Sequence, residues 1–354
     1  MTRIYLIRHA EAEGNLYRIA QGHTDGRLTK RGWDQVKALE QRFASIHVDA
    51  VYASDLYRTR ATASAVYRPK GLPVHLDASL REAHLGHWEG QPWGEIAHQE
   101  PENLIDFTIR PHLWRVRDGE TAAQAQQRLY DAVCRIGAKH DGETVVIASH
   151  GFAIRMLLGK LQEYPLEKIG ESPQEDNTAV SLLELDGSEL RLVYRSDNSH
   201  LFSSPGKKIA RKRPGALEHG MYYRAPVLPE QVEMLRQMTD AARTEAGTEG
   251  AQAAYTLFGF NGKETPSALL RMSGVGQIGV IYVLPEERQQ GLGVQLIGQA
   301  AQWTLDKGGQ TLRIPLKEES PAWALFKESE FVPAGKTPDG RVILEKDLRC
   351  VSDF

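Results

Sequence analysis

The chain has 354 residues, 41% of them hydrophobic and 25% charged, with a formal net charge of -3. That length exceeds one ordinary core and predicts two domains, and the slightly acidic balance argues against general nucleic-acid binding. Two cysteines, Cys134 and Cys350, lie far apart without metal-ligand spacing, which argues against a disulfide scaffold or a zinc site.

The N-terminus runs directly into an apolar stretch with no signal-like pattern, and no run approaches membrane-spanning length, so the expected compartment is the cytoplasm and no membrane partner is expected. Ile4-Tyr5-Leu6-Ile7 reads as a strand buried on both faces, as in a parallel sheet. It stops at Arg8-His9. In open parallel sheets ligands sit at the carboxyl ends of strands. An imidazole there, beside a guanidinium, suits a nucleophile that attacks an anion held by arginine. A strand cap exposing two polar residues is the competing reading.

The polar loop Gln21–Asp25 follows, then Thr29 as N-cap of a helix carrying Trp33, Val36 and Phe43. Asp49–Ala53 reads as a second strand, ending in Ser54–Thr59 before a helix over Ala61–Val66. Arg58 falls on the first turn of that helix, where free N–H groups and the helix dipole favour phosphate. Leu80-Arg81-Glu82 and Trp88-Glu89-Gly90 form a third cluster. Apolar and aromatic neighbours predict a raised Glu82 pKa, against a structural salt bridge to Arg81 or Arg58. Pro92–Gly119 reads as an irregular, mobile cover. Glu143–Ala148 is another buried strand, ending in Ser149-His150-Gly151 before a helix with Phe152, Met156, Leu157 and Leu161 inward. If the two histidine-bearing strands are neighbours, both imidazoles converge with Arg8 and Arg58 on one phosphate site that needs no metal.

Taken in order, Arg8-His9, Asn15, Gln21-Gly22, Ser54–Thr59, Leu80–Glu82, Trp88–Gly90, Ser149–Gly151 and Asp197–Leu201 resemble the histidine phosphatase superfamily, which includes the cofactor-dependent phosphoglycerate mutases. The resemblance spans about residues 1–203. It departs at Ala10, where many members carry glycine. It implies a three-layer α/β/α sandwich of phosphoglycerate mutase-like type and a small phosphorylated metabolite as substrate. It further implies that His9 carries a phosphohistidine, that Arg8, Arg58 and His150 neutralise the phosphoryl oxygens, and that Glu82 is the general acid and base. Asn15, Gln21 and Gly22, on loops after the first strand, would contact substrate. Mutases of the family carry a longer insertion before the second histidine, so hydrolysis is expected here, with a phosphoglycerate-type mutase as the alternative.

Ser203–Gly220, with five cations in Lys207–Arg213, reads as a basic interdomain linker at 204–220. Met221–Val227 reads as a strand, and Pro229 suits the first turn of a helix bearing Val232, Leu235, Met238 and Ala242. Strands at Ala254–Phe260, Ser267–Met272 and Gln277–Val283 follow. Arg288-Gln289-Gln290-Gly291-Leu292-Gly293 opens a helix through Leu305, with glycines that let backbone N–H groups approach a pyrophosphate. With Thr311–Leu316, the helix Pro321–Glu328 and Phe331, residues 221–354 resemble the GNAT acetyltransferase family, a mixed α/β domain. The resemblance implies acetyl-CoA bound at Val283, Arg288, Gln290, Gly291 and Gly293, and an unidentified amine acceptor. Phe326 stands where many members carry a tyrosine acid, and Glu330 replaces the usual glycine. This leaves a CoA-sensing regulator as the alternative to acetyl transfer. Separate cores and the linker predict two domains that fold independently.

Overall fold

The computed structural model describes residues 1–202, 220–227, 229–248 and 253–350. The cationic stretch expected to be a linker lies outside them. Two sheets organise the described residues. The first is six-stranded, in the order β3-β2-β4-β1-β5-β6. Its strands are β1 (Thr2–Arg8), β2 (Ala50–Ala53), β3 (Val74–Leu76), β4 (Thr144–Ser149), β5 (Val180–Asp186) and β6 (Glu189–Asp197). β1 to β4 run parallel, whereas β5 and β6 are antiparallel.

Four helices cover the two faces. α2 (Lys30–Phe43) and α3 (Tyr57–Lys70) share one face with Ile7, Val51, Val146 and Ala148. α6 (Ala122–Gly137) and α7 (Gly151–Leu161) share the other with Ile4, Leu6, Val145 and Ile147. Neighbouring residues of β1 and β4 thus point to opposite apolar layers, which is why both strands read as unbroken apolar runs. Thr29 caps α2 as expected, its hydroxyl accepting from the N–H of Gly32 at 3.0 Å. The short α1 (Glu13–Tyr17) carries Asn15, which the sequence had suggested would sit on a loop.

Pro92–Gly119 is irregular only in its second part, from residue 109 onward. It forms α4 (Trp93–Gln99) and α5 (Pro101–Thr108) around a core with fully enclosed Trp88 and Trp114. Pro92 and Pro101 stand at helix starts, where a missing N–H costs nothing. Aromatic packing, rather than local propensity, stabilises helices this short.

The second sheet is seven-stranded, in the order β12-β13-β11-β10-β9-β8-β7. It contains β7 (Tyr222–Arg224), β8 (Tyr255–Phe260), β9 (Ala268–Gly274), β10 (Gln277–Val283), β11 (Thr311–Leu316), β12 (Val332–Lys336) and β13 (Val342–Asp347). α8 (Pro229–Ala246) packs on one face through Met238 and Ala242. α9 (Leu292–Asp306) packs on the other through Leu296, Ile297 and Ala300, joined by Phe326 of α10 (Trp323–Glu328). Glu330, at the position where glycine was expected, takes φ 66, and its carboxylate lies 3.5 Å from the Lys346 ammonium. The left-handed backbone explains why glycine suits that position.

The two halves have cores of their own and also share a contact. Tyr17 and Ile19, from the first half, belong to the same buried cluster as α9 and the second sheet. A Cβ on Gly298 would meet the Tyr17 side chain at 2.5 Å, so α1 and α9 pack only because that residue is glycine. The nearly inaccessible Lys346 of β13 reaches Glu13 of α1 at 2.8 Å. Glu95 of α4 accepts from the Tyr223 N–H at 3.1 Å and from Arg224 at 2.7 Å, which fixes α4 to the edge strand β7.

Candidate active site

β1 and β4 pair in parallel with Arg8 opposite Ser149, so the residues that follow them, His9 and His150, emerge side by side. Their ring centroids are 5.2 Å apart. His9 is buried, and its Nδ1–H donates to its neighbour's carbonyl, Ala10 O, at 2.7 Å. That bond puts the proton on Nδ1 and leaves the lone pair on Nε2. Burial, then the charges of Arg58 and Arg8, hold its pKa well below the ordinary histidine range, so the ring is neutral. The backbone carbonyl of His9 also accepts from Asn177 Nδ2 at 2.9 Å.

Arg58 is 1% exposed, and burial draws its pKa down to about 10, which leaves it charged at neutral pH. Its Nη1 donates to Thr24 O at 2.8 Å, its Nη2 to Gly22 O at 2.7 Å and its Nε to His150 Nδ1 at 3.2 Å. A guanidinium has five N–H groups, so two remain for an anion. The free N–H groups expected at the start of α3 are not all available: Tyr57 N donates to the Asp25 carboxylate at 2.8 Å. Arg8 donates to the carbonyl of Glu175 and lies across the start of α7, where a Cβ on Gly151 would come within 2.9 Å of its Nε.

Glu82 makes neither of the expected salt bridges among the described residues. Its carboxylate sits at the N-terminus of α7, accepting from Phe152 N at 3.0 Å and from Ala153 N at 2.8 Å. Its surroundings are therefore polar on that side. Arg81 pairs with Asp55 instead, at 2.6 Å. His150 is fully enclosed, its Nδ1 accepts from Arg58, and its Nε2–H donates to Ser54 Oγ at 3.0 Å. Burial and the Arg58 charge push its pKa well down, as its acceptor role toward a guanidinium requires. It therefore supports Arg58 rather than lining the cavity.

Arg8, His9, Asn15, Gln21, Gly22, Arg58 and Glu82 do line one cavity, of about 470 Å³. Trp93, Phe107, Phe152, Arg155 and Glu175 share its wall and were not legible as site residues. Glu89, from the third sequence cluster, acts behind the wall by accepting from His23 N at 2.8 Å and Leu85 N at 3.0 Å. A neutral imidazole with a bare Nε2, two guanidiniums and a carboxylate around one cavity can hold a dianion and attack it. Among the described residues no cluster of His, Cys, Asp and Glu is arranged to hold a metal.

The other predicted set gathers where β10 meets α9. β10 and β11 pair at one register position, Gln277 with Arg313, so the later part of β10 has no ladder partner on that side. Gly291 precedes α9 with φ 80, and space is open where a Cβ would stand. Arg288 donates to Val283 O at 3.0 Å and to Glu245 at 2.8 Å, and Gln290 reaches Glu287 at 3.4 Å. Gly293 packs against Leu325. Phe326, fully enclosed, lies edge-on to Phe331 at 5.0 Å.

Comparison with known proteins agrees with both halves. The family model of the histidine phosphatase superfamily (branch 1) matches residues 4–198, and that of the acetyltransferase (GNAT) family matches 222–331. Phosphoserine phosphatase 1 of Hydrogenobacter thermophilus is 31% identical over 201 residues, which cover 57% of this chain and 95% of that protein. A metal-independent phosphoserine phosphatase of Arabidopsis thaliana is 30% identical over 206 residues, covering 57% and 84%. The solved structure of Bacillus stearothermophilus YhfR superposes with a TM-score of 0.55 at 34% identity, over 56% of this chain and 99% of its own. No helix among the described residues is long and apolar enough to cross a membrane.

Proposed function

The chain belongs to the histidine phosphatase superfamily (branch 1), and from that premise we propose that it hydrolyses small phosphomonoesters without a metal, by way of a phosphorylated His9. The observation that carries this reading is the Nδ1–H bond from His9 to Ala10 O, which keeps Nε2 as a neutral nucleophile between two arginines. His9 Nε2 attacks phosphorus, the ester oxygen leaves with a proton supplied by Glu82, and water activated by the same carboxylate then releases phosphate from His9. Arg8 and Arg58 balance the charge on the equatorial oxygens, and Asn15, Gln21 and Gly22 contact the substrate. His150 acts through Arg58. Quenching turnover of a labelled phosphoester tests the reading: acid-labile, base-stable label on His9, formed equally in EDTA, is expected. Label on another residue, or activity that needs an added divalent metal, overturns it.

For the second half, we propose a domain at 221–354 that binds acetyl-CoA, following the domain at 1–203 and a connecting segment at 204–220. The unpaired flank of β10 and the open turn at Gly291 fit such a group, which Val283, Arg288, Gln290, Gly291 and Gly293 would hold. Bound there, it would supply an activated acetyl thioester. The enclosed Phe326 offers no proton to a leaving thiolate, which favours a CoA-responsive regulatory domain over an acetyltransferase. Acetyl transfer to a panel of amines separates the two: turnover supports the transferase, and CoA binding without turnover supports the regulator.

A further inference from the structure

The cavity that holds the phosphate-binding residues is far larger than a phosphoryl group requires, and part of its remaining wall is apolar and aromatic. Trp93 of α4 stacks on Phe107 of α5, with centroids 5.5 Å apart and planes 25° apart. Phe107 in turn stacks on Phe152 of α7 at 4.6 Å and 10°. The consecutive helices α4 and α5 and the later α7 thus build one aromatic face, and Ile19, Leu85 and Leu104 line the same cavity.

Three charged side chains, Arg18, Arg155 and Glu175, stand beside this face on the same wall. Arg155 donates to Thr108 O at 3.1 Å, to Ser172 O at 2.9 Å and to the carbonyl of Gly170. The Glu175 carboxylate accepts from Arg195 at 2.8 Å. An ammonium or a carboxylate would lose water against Phe107 and Phe152 without a hydrogen bond from either ring in return. An apolar leaving group gains about 0.8 kcal/mol, or about fourfold in affinity, for each methylene covered. The face is also held in place. Trp93 N donates to Arg18 O at 2.8 Å, and Glu95, two residues on, is bound to Arg224 of the second sheet.

Resting on the phosphatase reading above, we propose that the substrate is a phosphomonoester with a largely apolar, planar leaving group. That group lies against the Trp93–Phe107–Phe152 stack, and Trp93 and Phe107 determine the specificity. An amino-acid or glycerate skeleton is the disfavoured alternative.

The test compares kcat/KM of the full chain for 2-phenylethyl phosphate, phosphoserine and 3-phosphoglycerate. All three have alkyl leaving groups, so the demand for a proton is similar. The phenylethyl ester is expected to lead by at least about tenfold. Inhibition by n-alkylphosphonates from two to six carbons is expected to tighten by about three- to fourfold per methylene. This series uses the unmodified enzyme and so decides even where variants fail to fold. Trp93→Ala and Phe107→Ala should shrink the preference through KM more than kcat. Faster turnover of phosphoserine or 3-phosphoglycerate, or a flat phosphonate series, overturns the proposal while the phosphatase reading stands. No turnover of any ester, p-nitrophenyl phosphate included, overturns the phosphatase reading and this proposal with it.

Discussion

The Nε–H of Arg58 donates to Nδ1 of His150 across 3.2 Å, and a guanidinium can only donate. The direction of that bond leaves the His150 proton on Nε2, which faces Ser54 at 3.0 Å. His150 is therefore placed to orient Arg58, while His9 offers a bare nitrogen to the cavity.

The two histidines should accordingly fail differently. His9→Ala is expected to be inactive and unlabelled by substrate. His150→Ala should still form the phosphoenzyme but turn over about 10²–10³-fold more slowly, the typical effect of losing one well-placed charge stabiliser. His150→Gln can accept from Arg58 and donate to Ser54, so it should recover most of that loss. Equal losses in the alanine and glutamine variants, by steady-state kinetics, would show that the imidazole itself meets the substrate.

Glu82→Gln should slow alkyl phosphates about 10²–10⁴-fold and activated aryl phosphates much less, because only the former need a proton on the leaving oxygen. The carboxylate also accepts from Phe152 N and Ala153 N. If its role is only to cap α7, both substrate classes should lose equally and the melting temperature should fall.

The shared core predicts communication between the halves. Gly298→Ala forces a methyl group against Tyr17, and overpacking of this kind costs about 1–3 kcal/mol. α1 also carries Asn15, on the cavity wall. The variant should melt earlier and raise KM for phosphoesters several-fold, although residue 298 lies in the other sheet's helix. An unchanged KM alongside a lowered melting temperature would mean that α1 is not the route of coupling.

Glu245 holds Arg288 at 2.8 Å, beside the turn proposed to take a pyrophosphate. Removing that carboxylate with Glu245→Ala should tighten CoA binding about two- to fivefold, the scale of a partly exposed pair. Gly291→Val, imposing a β-branched residue at φ 80, should abolish binding. Calorimetric titration with CoA reads both, and unaltered affinity in Gly291→Val would place the ligand elsewhere.

Stability should fall on acidification. Burial and the Arg42 charge depress His200 from 6.5 to about 4, so between those values the unfolded chain binds a proton that the folded chain does not. Stability from this group is thus complete above about pH 6.5 and lost as pH falls through 4, at up to about 1.4 kcal/mol per pH unit. The depressed pKa values of His9 and His150 act in the same direction. Denaturant titrations of His200→Gln should show a shallower dependence across that window. An identical slope would mean that His200 is not a source of it.

His200 also shows how far the sequence could be read. Its motif, Asp197–Leu201, was legible as a closing segment, but its work was not. The ring braces Thr178 Oγ1 at 3.1 Å, and Thr178 N donates to Arg8 O at 3.0 Å, one residue before the nucleophile. Asp25, Glu89, Asn177 and Glu175 hold the site in the same indirect way. Each is a polar residue in a loop, with no periodicity to distinguish it from a solvated one.

What the sequence determined by itself is the position of the chemistry. A strand buried on both faces must be an unbroken apolar run, so the residue that breaks the run, His9 or His150, marks the strand end where ligands gather. What only the tertiary structure decided is how these groups are oriented and what stands opposite them. Hydrogen-bond direction set the His150 ring between Arg58 and Ser54. Packing between segments far apart in the chain made helices of the first part of the supposed cover, joined its aromatics into one wall, and seated Tyr17 against Gly298. Those outcomes depend on which surfaces meet, and contact between distant segments leaves no periodic trace in the order of residues.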